Sequence, residues 1–418
     1  MHREIFEIIL NDLYCKKVFT STMKIAYINF FPGEVLVGFH KKIAGQARAA
    51  RELGLDMDFV ILNDTLEEER DDIRYIKVRY HFQNGILKKM EQAFFKYKLI
   101  SHAIDLNSYD MIILRYPWVD DLTCRKFYEA LGHKIITEHH TNELSELKLS
   151  RKKDRSFFLR YFLEKRNAPA MLSKVAGIIG VTDEIRRIEI DKSGPKPSAV
   201  ISNGISTSKV ALTSFSPFNG KDLKMICIVS QAAPWHGLDR LLLGLKRYRG
   251  DVHITVSVLG NIDSVFDEAI RNMDNPRVTI DTPGMKYGDD LSVYFSMATI
   301  AMSSLGLYMN NMKEACVLKS REYVARGIPF IYAYDDPDIP DDCGFALKLP
   351  NDDTPIDLNR VIDFACRISK EKNLAEEMRR FAREHLDWRI KVKQMYDFAC
   401  IVHQGTTESM RTCSGEER

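Results

Sequence analysis

The stretch Glu314-Ala-Cys-Val-Leu-Lys-Ser-Arg-Glu-Tyr-Val-Ala-Arg-Gly-Ile-Pro329 contains the signals of a loop, a short helix and the start of a strand. Ser320 is a suitable N-cap, Gly327 is suited to end the helix, and Pro329 begins the apolar run PFIYAY. A helix that leads directly into an apolar run is typical of the repeating units of a parallel α/β sheet. The stretch therefore predicts a crossover helix and the strand that follows it.

The start of this helix is also a candidate anion site. Backbone N–H groups near Leu318, Lys319 and Ser320 would point at one spot, and the lysine adds a positive charge that attracts a pyrophosphate. Glu322 lies one turn inward, where it could accept hydrogen bonds from ribose hydroxyls. Glu314 lies on the loop, from which it could reach a sugar. The alternative for either glutamate alone is an acid that complements the helix dipole.

Similar units recur along the whole chain, because apolar strand-like runs alternate with segments of helical period. This alternation predicts an α/β fold with two doubly wound, Rossmann-like domains. The predicted strands are 24–29, 57–62, 111–116, 134–139, 177–182 and 198–203 in the first domain, and 224–230, 253–260, 277–281, 299–304 and 329–334 in the second.

The domain boundary should fall in 205–222, where Ser, Thr, Pro, Asn and Gly cluster. The chain then divides into an amphipathic extension (1–22), an N-terminal domain (23–205), a C-terminal domain (206–386), a terminal helix that crosses back (387–402) and a disordered tail (403–418).

Composition excludes several classes of protein. A length of 418 residues with 45% hydrophobic and 28% charged residues is typical of a soluble two-domain protein, and a net charge of +2 gives no reason to expect nucleic acid. The eight cysteines are dispersed, which predicts a reduced cytoplasmic compartment and no structural zinc. No apolar run approaches the length of a membrane span.

Common nucleotide and metal motifs are missing as well. The chain has no GxxxxGK[ST], no GxGxxG after its first strand and no HExxH. Asp56-Met57-Asp58 spells the DxD of some metal-dependent glycosyltransferases, but it stands at the beginning of a predicted strand rather than at a carboxyl end. We interpret these residues as surface acids and predict no metal.

The glutamates Glu314 and Glu322, with seven residues between them, resemble the E-x7-E region of the large retaining family of GT-B glycosyltransferases, which includes many bacterial polysaccharide-building enzymes. Val200-Ile-Ser-Asn-Gly204 is similar to the strand and Asn-Gly turn that precede the family's interdomain linker. The resemblance covers about 23–402. It implies a GT-B fold with a nucleotide-sugar donor in the second domain, an acceptor in the first, transfer with retention, and no cofactor or metal.

The chain departs from the family where an arginine and a lysine-glycine pair usually clamp the donor diphosphate. His236 stands where the lysine usually is, and Ser230 cannot replace the arginine's charge. Lys319 and Arg321 would then supply the missing positive charge. An alternative for Trp235-His236 is a helix start that packs its aromatic residue on the domain surface.

In the first domain, Pro32 to Gly45 occupies the place of the family's glycine-bearing loop, with Gly38, Lys41 and Lys42 as candidate donor or acceptor contacts. An ordinary helix start with solvated lysines explains this segment equally well. The strand end 135–141 resembles the place where many members present a histidine to the transferred sugar. His139 aligns best, and His140 is the alternative.

A basic, aromatic segment follows at 151–166, beginning with Arg151, Lys152 and Lys153. Such a helix can lie on an anionic bilayer, which would suit a polyprenyl-linked acceptor and a peripheral position on the inner face of the membrane. The alternative is an amphipathic helix whose aromatic side chains enter the domain core and whose cations are solvated.

Together these features predict a cytoplasmic glycosyltransferase that moves a hexose-type sugar from a nucleotide-sugar to a glycan or lipid-linked acceptor in capsule, exopolysaccharide or other cell-surface polysaccharide biosynthesis. The predicted catalytic residues are Glu314 and one of His139 and His140. Two alternatives stay open: a GT-B-shaped sugar-nucleotide epimerase, and a non-catalytic partner that binds nucleotide-sugar or glycan.

Overall fold

The computed structural model of the protein describes residues 23–31, 37–83, 85–150, 156–213, 215–231, 233–262 and 264–414. Within these ranges the chain builds two separate sheets, each covered by helices. The predicted N-terminal extension, 1–22, lies outside the described residues.

The first sheet has eight strands in the order β3-β4-β2-β1-β5-β6-β7-β8, parallel except for β3, which pairs antiparallel with β4. Its central strands are buried on both faces, as their continuous apolar sequences predict. The strands are β1 (Ile25–Phe30), β2 (Met57–Asn63), β3 (Glu68–Arg70), β4 (Ile73–Lys77), β5 (Met111–Arg115), β6 (Ile135–His139), β7 (Gly177–Gly180) and β8 (Ser198–Val200).

Helices cover both faces of this sheet, and each face has its own apolar core. The helices of this half are α1 (Val37–Glu52), α2 (Gly85–Phe94), α3 (Lys96–Ala103), α4 (Cys124–Leu131), α5 (Glu143–Ser150), α6 (Ser156–Leu172) and α7 (Asp183–Ser193).

The second sheet has six parallel strands in the order β11-β10-β9-β12-β13-β14. The doubly wound α/β class predicted from the sequence is therefore confirmed for both halves. The strands are β9 (Asp222–Gln231), β10 (His253–Asn261), β11 (Val278–Gly284), β12 (Ile300–Met302), β13 (Phe330–Tyr332) and β14 (Ala346–Lys348). The helices are α8 (Leu238–Arg247), α9 (Ser264–Arg271), α10 (Gly288–Met297), α11 (Leu318–Arg326), α12 (Leu358–Ile368), α13 (Leu374–Phe381) and α14 (Trp388–Ser414).

The last helix, α14, returns from the second half to pack on α1 of the first. Its Trp388 is buried, and a Cβ added to Gly45 would lie 2.5 Å from the Trp388 ring, so only glycine allows this approach. The helix continues to Ser414, and the predicted disorder of 403–414 is wrong. The Thr406 and Thr407 hydroxyls donate to carbonyls one turn back, which satisfies these polar groups within the helix.

A buried carboxyl group holds the loop after β5 in place. Glu164 of α6 accepts hydrogen bonds from the Tyr116 hydroxyl at 2.7 Å and from the Val119 N–H at 2.6 Å. Burial raises the pKa of Glu164 from 4.5 to about 7. The folded protein therefore takes up a proton here between about pH 4.5 and 7, and the stability that this proton contributes is lost as the pH rises through 7.

We expect Glu164→Gln to remove this pH dependence, because a neutral amide can keep both contacts without titrating. From pH 5 to pH 8 the free energy of unfolding of the variant should increase relative to that of the parent by roughly 3 kcal/mol at most. The difference in Tm between variant and parent should change in the same direction. Differential scanning calorimetry at several pH values measures it. Glu69→Gln, at an exposed position of β3, serves as the control. A pH-independent difference for Glu164→Gln would contradict the assignment.

Candidate functional site

The candidate anion site lies at the start of α11, but the helix begins differently from the prediction. The N-cap is Val317 and not Ser320, and no side chain caps the helix. Ser320 is buried, its hydroxyl 2.6 Å from those of Ser303 and Tyr334, and its N–H donates to the Val317 carbonyl. Ser320 therefore cannot contact a ligand. In the part of the chain that the structure describes, no group accepts from the N–H of Leu318 or Lys319.

Two of the predicted donor-site residues, Lys319 and His236, come together beside this helix start. The Lys319 ammonium lies 3.4 Å from His236 Nδ1 and 3.4 Å from the Ile228 carbonyl oxygen on β9. Burial lowers the pKa of Lys319. The helix start, the lysine and the histidine thus form one basic edge at the carboxyl ends of β9 and β12, where ligands bind to open α/β sheets.

Backbone contacts fix the loop that carries His236. The Leu305 N–H donates to the His236 carbonyl, and the Gly306 N–H donates to that of Trp235. A Cβ on Gly306 would lie 2.4 Å from the Pro234 carbonyl oxygen, so this close approach requires glycine. Ser230 is the residue before the last of β9, and its side chain lies outside the described part of the structure.

Arg321 does not supply charge to a ligand, contrary to the prediction. Its side chain is fully buried, pairs with Asp336 and lies 2.8 Å from Asp338. Its Nε donates to the Asn203 carbonyl at 3.1 Å. Residue 321 points into the protein because it follows Lys319 by two positions, about 200° around the helix. Its role is to join α11 to the turn before the linker.

The two glutamates of the motif occupy different positions. Glu322 lies on α11 one turn after Lys319, is one-quarter exposed, and accepts from Arg326 Nε at 2.9 Å. Glu314 lies where the two halves meet: its Oε2 accepts from the Glu184 N–H of α7 at 2.9 Å. The Glu184 carboxylate in turn accepts from the Glu314 N–H at 2.7 Å. Glu184 was not predicted from the sequence, although Thr182-Asp-Glu at a strand end is a helix-start signal.

His139 is a buried structural residue and does not face a sugar. Its Nδ1 lies 2.8 Å from Glu143 Oε1 and 3.6 Å from Glu189 Oε2, and its Nε2 lies 3.0 Å from Thr137 Oγ1. Burial disfavours the imidazolium, but these two carboxylates outweigh it and raise the pKa of His139. The prediction of His139 as the better candidate is therefore wrong.

This buried cluster has ligand types that suit a metal ion, since the ligand atoms of His139, Glu143 and Glu189 lie within 4.8 Å of one another. The Lys192 ammonium enters the same cluster, 2.6 Å from Glu189 and 3.5 Å from Glu143. The ammonium places a positive charge beside both carboxylates, which disfavours a metal cation at the same position. Asp58 of the DxD triplet lies at the amino end of β2 and accepts from the Tyr109 hydroxyl.

His140 directly follows the last residue of β6 and contacts a different set of side chains from His139. Its Nε2 lies 2.9 Å from Glu138 Oε2 and 3.1 Å from the Lys42 ammonium, and 15% of its side chain is exposed. Burial lowers its pKa to about 3, so the imidazole is neutral at physiological pH. The Tyr27 hydroxyl also donates to Glu138, which completes a polar cluster at the carboxyl end of the first sheet.

Lys42 belongs to this cluster, and its predicted contact with a donor or acceptor is wrong. Its side chain is only 3% exposed and its ammonium lies 3.6 Å from Glu138 Oε1. Burial lowers its pKa to about 8. Its neighbour Lys41 is exposed. Gly38 is also exposed, and an added Cβ would meet no atom within 4 Å, so nothing here requires glycine.

The predicted membrane-binding segment is described only from residue 156, and Arg151, Lys152 and Lys153 lie outside the described residues. In α6, Phe158, Leu159 and Phe162 are at least half exposed, so these three side chains do not enter the domain core. None of the helices that the structure describes is long and apolar enough to cross a bilayer.

Comparison of the whole chain with solved structures identifies its fold. A glycosyltransferase from Rickettsia africae superposes with a TM-score of 0.60 at 14% identity, covering 91% of this chain and 99% of that one. The lipopolysaccharide outer core galactosyltransferase WaaB gives 0.55 at 14%, covering 90% and 99%. Anabaena HepE in complex with UDP and glucose gives 0.56 at 13%, covering 93% and 100%.

These identities are too low to show more than the fold, which is GT-B. No protein-family model matches the chain, and no curated protein matches it in sequence.

Proposed function

We propose that this protein is a glycosyltransferase that moves a hexose-type sugar from a nucleotide-sugar donor to a glycan or lipid-linked acceptor. The observation that carries the proposal is the basic helix start of α11, with Lys319 and His236 beside it and Glu322 one turn further along. In the same fold, HepE binds UDP and UDP-glucose. The donor would place its diphosphate at this helix start.

In this proposal the N–H groups of Leu318 and Lys319, with the Lys319 ammonium, stabilise the charge that develops on the departing diphosphate. Glu322 accepts from the ribose hydroxyls. Glu314 and His140 contact the transferred sugar from the two sides of the cleft. Because His140 is neutral, one of its ring nitrogens can accept from a sugar hydroxyl.

The reaction breaks the bond between the anomeric carbon and the diphosphate oxygen and forms one to the acceptor oxygen. The acceptor hydroxyl proton passes to the leaving phosphate. We further propose that attack occurs on the face from which the diphosphate leaves, so that configuration is retained, and that no metal takes part. An epimerase of the same fold would instead return a changed sugar-nucleotide, which product analysis with labelled donor distinguishes.

For the acceptor, we propose a lipid-linked saccharide at the inner face of an anionic membrane, as in capsule or exopolysaccharide assembly. The support is the exposed apolar surface of α6, formed by Phe158, Leu159 and Phe162 in a segment rich in Lys and Arg. An amphipathic surface of this kind inserts its apolar side chains at the lipid boundary while the cations meet anionic headgroups.

We expect substitutions of the two motif glutamates to change different kinetic constants. Glu314→Gln should lower kcat by about two orders of magnitude, because it removes a charge beside the reacting sugar. Glu322→Gln should mainly raise the donor KM, because ribose is held equally in the ground and transition states. Steady-state kinetics with saturating acceptor measure both. Near-parental kcat for Glu314→Gln at saturating donor would show that the catalytic centre lies elsewhere.

Membrane binding should depend on the exposed face of α6. The parent should sediment with phosphatidylglycerol vesicles at low salt and be released as salt screens its cations. The double variant Phe158→Ser, Phe162→Ser should lose most of this binding without losing stability, because both side chains are exposed. Val293→Ser, at an exposed position of α10, is the matched control. Equal recovery of the parent with neutral and anionic vesicles would reject the membrane proposal.

A further inference from the structure

The contact between Glu184 and the Glu314 loop is reciprocal. Glu184 lies in the first turn of α7, where Thr182 is the N-cap and accepts from the Ile185 N–H. The Glu184 N–H is one of the donors that a helix start leaves unpaired, and Glu314 Oε2 accepts from it at 2.9 Å. Glu184 Oε2 accepts from the N–H groups of Lys313 and Glu314, at 2.8 and 2.7 Å. Three hydrogen bonds thus cross between the halves.

The loop that receives these bonds is itself held by the second sheet. The Ala315 N–H donates to the Asp335 carbonyl, and the Asp335 N–H donates to the Lys313 carbonyl, just after β13. These two bonds fix the loop to the second sheet. The hydrogen bonds with Glu184 fix the loop on the side that faces the first half. Among the described residues, no group donates to the second oxygen of Glu314, Oε1. That oxygen is left to receive a sugar hydroxyl.

Holding the two halves together does not by itself explain why both residues are glutamates. An amide side chain could make the same hydrogen bonds without repulsion between two carboxylates. The three N–H donors and the dipole of α7 offset the repulsion. Other hydrogen bonds already join the halves, such as that from Asn203 Nδ2 to the Cys316 carbonyl at 2.7 Å. The Glu184 contact differs because it includes the motif glutamate itself.

We propose that Glu184 is a positioning residue for Glu314, so that closure of the two halves and completion of the sugar site are one event. This inference rests on the proposed function. With the halves together, α7 holds Glu314 Oε2 and directs Oε1 toward the donor sugar. With the halves apart, Glu314 loses its orienting partner while the diphosphate site on α11 stays intact, because that site lies entirely within the second half.

Three variants test the proposal. Glu184→Gln keeps an oxygen that can accept from the Lys313 and Glu314 N–H groups, so kcat should stay within about threefold of the parent. Glu184→Ala removes it, and kcat should fall roughly 10- to 100-fold, the scale of a misplaced transition-state contact, while nucleoside diphosphate affinity is unchanged. Asp183→Asn is the matched control, since Asp183 pairs with Arg186 and Arg187 on its own helix.

Amide hydrogen exchange at Lys313 and Glu314 gives a readout that does not depend on transfer. These amides should be protected in the parent and in Glu184→Gln, and exposed in Glu184→Ala. Parental kcat in Glu184→Ala, an equal loss in Asp183→Asn, or unprotected amides in the parent would each overturn the proposal. Protected amides in a parent that transfers no sugar would reject the proposed function, and with it the catalytic purpose of the contact, while leaving the contact itself demonstrated.

Discussion

The candidate site depends on the ion pairs of Arg321. Its guanidinium is fully buried between Asp336 and Asp338. Asp338 also pairs with Lys391 of α14 at 2.7 Å, and Arg321 Nε bonds to the carbonyl of Asn203 before the linker. One side chain thus ties α11 to the loop after β13, to the returning helix and to the crossing between the halves. A buried charge that loses its partner costs about 3–5 kcal/mol, so α11 is held firmly.

The other residues of the candidate site lie on this helix, in contact with it, or on the loop before it. The helix start presents two backbone N–H groups, and Lys319 reaches the end of β9 and His236. Glu314 is added from the loop and is held by the opposite half through Glu184. In the proposed function, the residues that would hold the diphosphate therefore lie within one half, whereas those that would contact the sugar come from both halves. This division fits a transferase in which nucleotide binding precedes closure.

The sequence predicted the repeating α/β units and the presence of α11, because apolar runs and helix signals are local, but it placed the N-cap at Ser320 and not at Val317. It did not predict which face of β6 meets the cleft: His139 and His140 are adjacent, and alternation in a strand sends one into the core and the other toward Lys42. Arg321 was misjudged because its acidic partners, Asp336 and Asp338, become neighbours only after folding. The edge strand β3 and its neighbour β4 were missed because both are short and carry charged residues.

The proposed function requires that the start of α11 binds a nucleoside diphosphate through Lys319, and calorimetric titration of UDP, GDP and ADP measures this binding. We expect at least one of the three to bind the parent. Lys319→Met should weaken this binding by about tenfold or more, because a charge-assisted contact is worth roughly 1.5–3 kcal/mol. Lys41→Met, at an exposed position of α1, should bind like the parent. If none of the three nucleotides binds, or if Lys319→Met binds as tightly as the parent, the start of α11 is not a nucleoside diphosphate site that depends on Lys319.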